Sequence, residues 1–131
     1  MKGAAATAAA VVLARTGTSQ AGIRGYVAET FGYNMTRTID EIRPGYRFNE
    51  TCQDTVPQAL SCVLEADSFE DAIRNAISIG GDSDTIGAIV GGVAEAMFGI
   101  PDDIAERGWG YLPQEMCEVL TDLYQRAGQP L

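Results

Sequence analysis

The stretch "AISIGGDSDTIGAIVGGVAEAMFG" (residues 76–99) carries the clearest helical pattern in the chain, and two glycines and two aspartates introduce that helix. Its large apolar residues recur at the spacing of one helix face, at Ile86, Ile89, Val90, Val93 and Met97. Gly87, Gly91 and Gly92 lie inside the same helix, although each glycine costs about 1 kcal/mol there relative to alanine. We therefore expect this helix to be central, with other groups packed very close to its backbone.

Helical patterns also account for most of the remaining chain, and no segment alternates as an exposed strand does. Thr55 is placed to cap a helix that has Pro57 in its first turn. The other predicted helices cover residues 2–15, 19–31, 34–42, 68–79, a short segment after Pro101, and 113–126. A chain of 131 residues suits one domain. The sequence thus predicts an all-α fold that forms a single helical domain over residues 1–131.

The composition excludes several classes of function. The formal net charge is −9 and the chain contains no histidine. An acidic surface repels phosphate backbones, so we expect no nucleic-acid partner. Without histidine there can be no Ser-His or Cys-His nucleophile pair and no H-E-x-x-H zinc site. A metal site in this chain must use oxygen ligands, which favour Mg²⁺, Ca²⁺ or Mn²⁺ over zinc.

The cysteines and the N-terminal segment bear on the cellular compartment. Three cysteines, with no C-x-x-C spacing, are typical of reduced thiols and predict a cytoplasmic protein. The segment "MKGAAATAAAVVLARTG" (residues 1–17) loosely resembles a signal peptide, but Thr7 and Arg15 interrupt it and an alanine-rich buried helix explains it better. No stretch reaches the roughly 20 apolar residues of a membrane span, so we expect no membrane contact.

The aspartates of "GGDSDT" (residues 80–85) allow two interpretations. In the first, Asp82 or Ser83 caps the following helix and the other acid interacts with the helix dipole. In the second, Asp82, Asp84 and the hydroxyl of Thr85 bind a hard cation, which would relieve the repulsion between the two carboxylates. The spacing alone leaves both open, although it fits neither an EF-hand loop nor a D-x-D-x-T phosphotransferase site.

The segment "DAIRNAISIGGDSDTIGAIVGGVAEAMFGIP" (residues 71–101) resembles the C-terminal signature of the ADP-ribosylglycohydrolase family. The resemblance continues through "YRFNETCQDTVPQAL" (residues 46–60) and residues 1–17. It implies an all-α protein, an orthogonal multi-helix bundle, with two metal ions, usually Mg²⁺ or else Mn²⁺, that hydrolyses the glycosidic bond between ADP-ribose and an acceptor. It also implies site residues: catalytic Asp82 and Asp84; metal ligands Asp82, Asp84 and Thr85; substrate-binding Gly80, Gly81, Ser83 and Thr55.

The resemblance covers only about the C-terminal half of a family member, because the family's other metal-binding motif belongs to an N-terminal half. We expect a truncated or split enzyme that is active only when the missing half completes it. The alternative is an inactive fragment that binds ADP-ribose or a partner, or that forms a dimer or higher oligomer to bury an exposed apolar surface. Tyr46 and Phe48 could stack on an adenine, but packing within the protein explains them better.

Overall fold

The computed structural model describes residues 1–47 and 51–128. In these ranges the chain forms eight α-helices and no strand, so the predicted all-α fold is confirmed. The helices are α1 (Lys2–Arg15), α2 (Gln20–Phe31), α3 (Ile39–Ile42), α4 (Cys52–Leu64), α5 (Phe69–Ser78), α6 (Ser83–Phe98), α7 (Asp102–Gly110) and α8 (Gln114–Ala127).

The chain divides into two compact units, Met1–Gly99 with helices α1 to α6 and Ile100–Leu131 with α7 and α8. The apolar core lies in the first unit, and none of the described residues of α7 and α8 is buried. That residues 1–131 form one domain stays a prediction. None of the helices in the described ranges combines the length and the apolar character that crossing a membrane requires.

Helix α6 is the centre of the first unit, as its pattern predicts. It packs against α1, α4 and α5. Its residues Ile86, Val90 and Val93 are fully buried, and α4, against which it packs, also contains fully buried residues such as Leu60 and Val63. Burying each such side chain contributes about 1.5–3 kcal/mol, so this contact holds the start of α6 in a fixed place.

The glycines of α6 are less closely packed than their number predicts. A Cβ on Gly91 would meet the Cδ1 atom of Ile73 at 3.8 Å, an ordinary van der Waals contact. On Gly87 or Gly92 a Cβ would meet no heavy atom of the described residues within 4 Å. The expectation of close packing is therefore wrong for these two glycines, because their side of α6 faces open space in the described part of the chain.

Helix α4 begins earlier than the sequence predicts. Thr51, not Thr55, occupies the N-cap position, and the Thr55 amide donates to the Thr51 carbonyl at 3.0 Å inside the first turn. Pro57 consequently lies within the helix rather than in its first turn. Since proline there lacks an N–H donor, the burial of α4 from Thr55 to Leu64 has to outweigh the lost hydrogen bond.

Helix α3 is shorter than the predicted helix over residues 34–42. It begins after Thr38. The Thr38 hydroxyl accepts a hydrogen bond from the Glu41 amide at 3.3 Å, and the Glu41 carboxylate accepts one from the Thr38 amide at 2.9 Å. This reciprocal pair is a capping box, which sets a sharp helix start. Residues 34–38 precede it outside any helix.

Candidate metal site at the start of α6

Two glycines turn the chain between α5 and α6. Gly80 and Gly81 have φ angles of +73° and +76°, in the left-handed region that residues with a Cβ rarely adopt. The Ser83 amide donates to the Gly81 carbonyl at 3.1 Å, which tightens the turn before α6 starts. The glycine pair thus allows the chain to leave α5 and enter α6 within four residues, Ile79 to Asp82, and places the aspartates at the head of the central helix.

Asp82 occupies the N-cap position of α6, but its side chain makes no capping hydrogen bond. In α2, α3 and α5 the side chains of Ser19, Thr38 and Ser68 do accept a backbone N–H of the first turn. The capping interpretation therefore does not describe the Asp82 carboxyl group, which instead interacts with Asp84.

The Asp84 carboxyl group is fully exposed and lies beside that of Asp82. A hydrogen bond with the Asp82 side chain is the largest cause that lowers the pKa of Asp84, followed by the backbone N–H groups of Thr85 and of Asp84 itself. The Thr85 amide reaches Asp84 Oδ1 at 2.9 Å. The Asp84 side chain therefore interacts with the Asp82 side chain and with the Thr85 amide, and both interactions favour its ionised form.

The donor set of this turn fits a hard cation and is incomplete. It contains the carboxylates of Asp82 and Asp84 and, on the first turn of α6, the hydroxyl groups of Ser83 and Thr85. Oxygen donors of this kind suit Mg²⁺, which takes about six of them in octahedral geometry. Among residues 1–47 and 51–128, no group of three or more acidic or cysteine side chains gathers at one point. The turn can thus supply part of a coordination shell.

Thr55 is the predicted site residue farthest from the glycine turn in sequence, and Tyr46 links it to that turn. The Tyr46 hydroxyl donates to Thr55 Oγ1 at 3.5 Å, and a Cβ built on Gly81 would lie 2.5 Å from Tyr46 Cε1. Thr55 is buried, with 4% of its surface exposed. The Tyr46 ring packs on the protein, and Phe48, the other aromatic candidate, lies outside the described residues.

Comparison with known proteins identifies the family. The family model described as ADP-ribosylglycohydrolase matches residues 2–130. None of the curated proteins and none of the solved structures compared with the chain matches it. Because the family match spans nearly all of the 131 residues, including the glycine turn and its aspartates, this chain belongs to the ADP-ribosylglycohydrolase family.

Proposed function

We propose that this chain takes part in the magnesium-dependent hydrolysis of a glycosidic bond between ADP-ribose and an acceptor. Membership of the family implies hydrolysis of ADP-ribose linkages. One observation on the chain itself carries the proposal. The Asp82 carboxyl group stands at the head of α6 without capping it and lies beside Asp84, so both acids can contribute oxygens to one cation.

In this proposal each residue of the turn has a role in holding cation or substrate. Asp82, Asp84 and the hydroxyl of Thr85 bind one or two Mg²⁺ ions, or Mn²⁺. A bound Mg²⁺ supplies a Lewis acid that lowers the pKa of water. The Asp84 carboxylate accepts a hydrogen bond from the attacking water and orients it. The water oxygen forms a bond to the anomeric carbon of the ribose while the bond from that carbon to the acceptor breaks, and the acceptor takes up one proton of the water.

The remaining residues of the site contact the substrate. At Gly80 a Cβ would meet no described heavy atom within 4 Å, so a sugar or phosphate group has space to approach this backbone. At Gly81 the Tyr46 ring fills the corresponding place, so Gly81 offers the substrate only its backbone groups. Ser83 offers a hydroxyl on the first turn of α6, and Thr55 offers one on α4. We assign these four positions to ADP-ribose.

The proposed site needs ligands that its two carboxylates do not provide. Two carboxylates and a hydroxyl leave about half of an octahedral shell to water and other groups. We propose that a separate N-terminal half, in trans or joined to this one, brings the other acidic ligands. The chain alone would then hold the cation weakly and have little activity.

A second candidate function is non-enzymatic: an inactive fragment that binds ADP-ribose, or an oligomeric interaction protein. The observation that favours it is a row of exposed apolar residues along α8. Met116, Val119 and Leu123 are 56%, 68% and 58% exposed, and they recur at the spacing of one helix face. A contiguous apolar face of this kind is typical of a contact surface.

Substitution of Asp84 by asparagine tests the cation site directly. We expect Asp84→Asn to weaken Mg²⁺ binding about tenfold or more, which corresponds to about 1.4 kcal/mol, because it removes one of two charged ligands. The measurement is isothermal titration calorimetry with Mg²⁺, with and without ADP-ribose.

Asp103→Asn is the matched control, because Asp103 also lies in the first turn of a helix, α7, and its substitution changes the net charge by the same amount. The control should bind Mg²⁺ as the wild type does. Equal Mg²⁺ affinity in the wild type and in Asp84→Asn would refute the ligand role of Asp84. A loss of affinity in both variants would indicate an unspecific effect of charge.

A further inference from the structure

We propose that Tyr46 is a positioning residue for the cation site: it holds the turn at Gly80 and Gly81, and through that turn it keeps Asp82 and Asp84 side by side. The role as a cation site rests on the proposed function, whereas the holding of the turn can be tested without it. Tyr46 itself donates no ligand.

The first observation is the contact between the Tyr46 ring and the backbone of Gly81. A Cβ on Gly81 would lie 2.5 Å from Cε1 and 3.1 Å from Cδ1 of the ring, so the ring edge occupies the place that a side chain would take. The next nearest group is the Arg47 carbonyl at 3.5 Å. At Gly80, which has nearly the same φ angle, a Cβ would meet nothing within 4 Å among the described residues.

The second observation is that Tyr46 is itself held on both sides. Its backbone N–H donates to the Ile42 carbonyl at 3.0 Å, at the end of α3. Its hydroxyl reaches Thr55 Oγ1 at 3.5 Å, on the buried side of α4. Tyr46 is therefore bonded to α3 through its backbone and to α4 through its hydroxyl, and its ring edge contacts the turn between α5 and α6.

The turn needs such a support for two physical reasons. Glycine in the left-handed region is free to leave it, because glycine has more backbone conformations available than any other residue. Asp82 and Asp84 also lie close together, and when both are ionised no proton bridges them, so their carboxylates repel each other and favour a turn that opens. Ile79 and Ile86, which flank the turn, are 3% and 0% exposed and fixed in the core. Tyr46 contacts the turn at Gly81, between these two buried residues.

A double-mutant cycle between Tyr46 and Gly81 tests the contact. The variants are Tyr46→Ala, Gly80→Ala and Gly81→Ala, with each glycine substitution also made in the Tyr46→Ala background, and the readout is the melting temperature. With Tyr46 present, we expect Gly81→Ala to lower Tm by more than Gly80→Ala does, since it adds a clash to the backbone strain. In the Tyr46→Ala background the two glycine substitutions should lower Tm equally. Equal effects of both glycines in both backgrounds would overturn the proposed contact.

Binding of Mn²⁺, measured by calorimetry, tests the effect on the cation site. We expect Tyr46→Ala to weaken Mn²⁺ binding about tenfold. Removing a group that orients a metal-binding side chain typically has an effect of this size. Tyr46→Phe keeps the ring and should retain the wild-type affinity within about twofold. Tyr111→Ala, at a residue that is 89% exposed, is the control and should change nothing. A purely stabilising residue would lower Tm and leave Mn²⁺ affinity unchanged.

Hydrogen exchange of the Ser83 amide, which donates to the Gly81 carbonyl inside the turn, separates the two proposals in the cation-free protein. If the wild type binds no Mn²⁺, the proposed function fails, and the exchange rate still decides whether Tyr46 holds the turn. Faster exchange in Tyr46→Ala, with the wild-type rate in Tyr46→Phe, supports the positioning role. The wild-type rate in Tyr46→Ala would overturn it, whatever the cation does. Tyr46→Leu, which retains apolar bulk, replaces the alanine variant if that variant does not fold.

Discussion

At the scale of single residues, Asp82 is the most informative position. An aspartate at an N-cap normally contributes about 1 kcal/mol by accepting a backbone N–H of the first turn. Asp82 makes no such bond, and the Thr85 amide is taken by the Asp84 carboxylate instead. A protein that forgoes local stability at one position usually does so for function.

A serine at position 82 should therefore stabilise the protein and impair the site. We expect Asp82→Ser to raise the free energy of unfolding by about 0.5–1 kcal/mol at neutral pH, because serine can cap α6 whereas the Asp82 side chain does not. Urea unfolding measures this gain, and the same variant should lose Mg²⁺ affinity in calorimetry. Unchanged or lower stability would contradict this account of Asp82.

Cys62 provides a second residue-scale prediction. Burial, helped by the nearby Glu65 carboxylate, raises the pKa of the Cys62 thiol to about 12. Cys62 should thus resist iodoacetamide at pH 8, while the exposed Cys52 reacts readily, as mass spectrometry of the labelled peptides can determine. Equal labelling rates at the two cysteines would contradict the burial of Cys62.

The same shift predicts the direction of a pH effect on stability. Because the pKa of Cys62 is higher in the folded protein than the 9.0 of the unfolded thiol, its contribution is complete below pH 9. The contribution is lost as the pH rises toward about 12, since only the unfolded chain then releases the proton. Cys62→Ala should flatten the alkaline limb of the unfolding free energy.

At the scale of helices, the glycines of α1 and α6 differ in what surrounds them. In α1, a Cβ on Gly3 would lie 3.0 Å from both Cys52 Cβ and Val56 Cγ2 of α4, so the two helices need a glycine at their contact. In α6, Gly92 is exposed and has no neighbour of this kind among the described residues. Helix packing therefore requires the glycine in α1, whereas it does not require Gly92 in α6.

Alanine substitutions at these two glycines should act in opposite directions. We expect Gly92→Ala to raise the free energy of unfolding by up to about 1 kcal/mol through helix propensity. Gly3→Ala should lower it by about 1–3 kcal/mol, because the added methyl overpacks the contact with α4. Thermal unfolding of both variants checks the pair. Destabilisation by Gly92→Ala would mean that α6 meets a further group on this side.

At the scale of the whole molecule, the two compact units differ in how many of their apolar side chains are buried. Helices α1 to α6 enclose an apolar core, whereas α7 and α8 contain no buried residue. A two-helix unit is too small to bury a core of its own. The exposed Met116, Val119 and Leu123 of α8 therefore make this unit the part of the chain that most needs a contact.

We expect the protein to sediment as a dimer or higher oligomer at micromolar concentration. Val119→Glu and Leu123→Glu each place a charge on the apolar face of α8, and they should lower the sedimentation coefficient toward that of a monomer. Gln125→Glu adds the same charge at an exposed position outside that row and should leave the assembly intact. A monomeric wild type at this concentration would contradict the prediction.

Much of the fold could be predicted because its signals are local. The all-α class, α6 and the helix ends at Gly17, Gly32 and Gly99 follow from helical periodicity and from glycine with positive φ, which depend on neighbouring residues alone. The start of α4 was predicted wrongly at Thr55. The local rule for proline favours the first turn, and the burial of α4 overrides that rule.

The candidate site divides in the same way. The residues of the turn, "GGDSDT", predict a tight bend and a cluster of oxygen donors, because both properties depend on residues that are adjacent in sequence. That Asp82 lies beside Asp84 instead of capping α6, and that Tyr46 lies against Gly81, follow only from the folded chain. Contacts between residues far apart in sequence arise from how α3, α4 and α6 pack, and no local pattern encodes that packing.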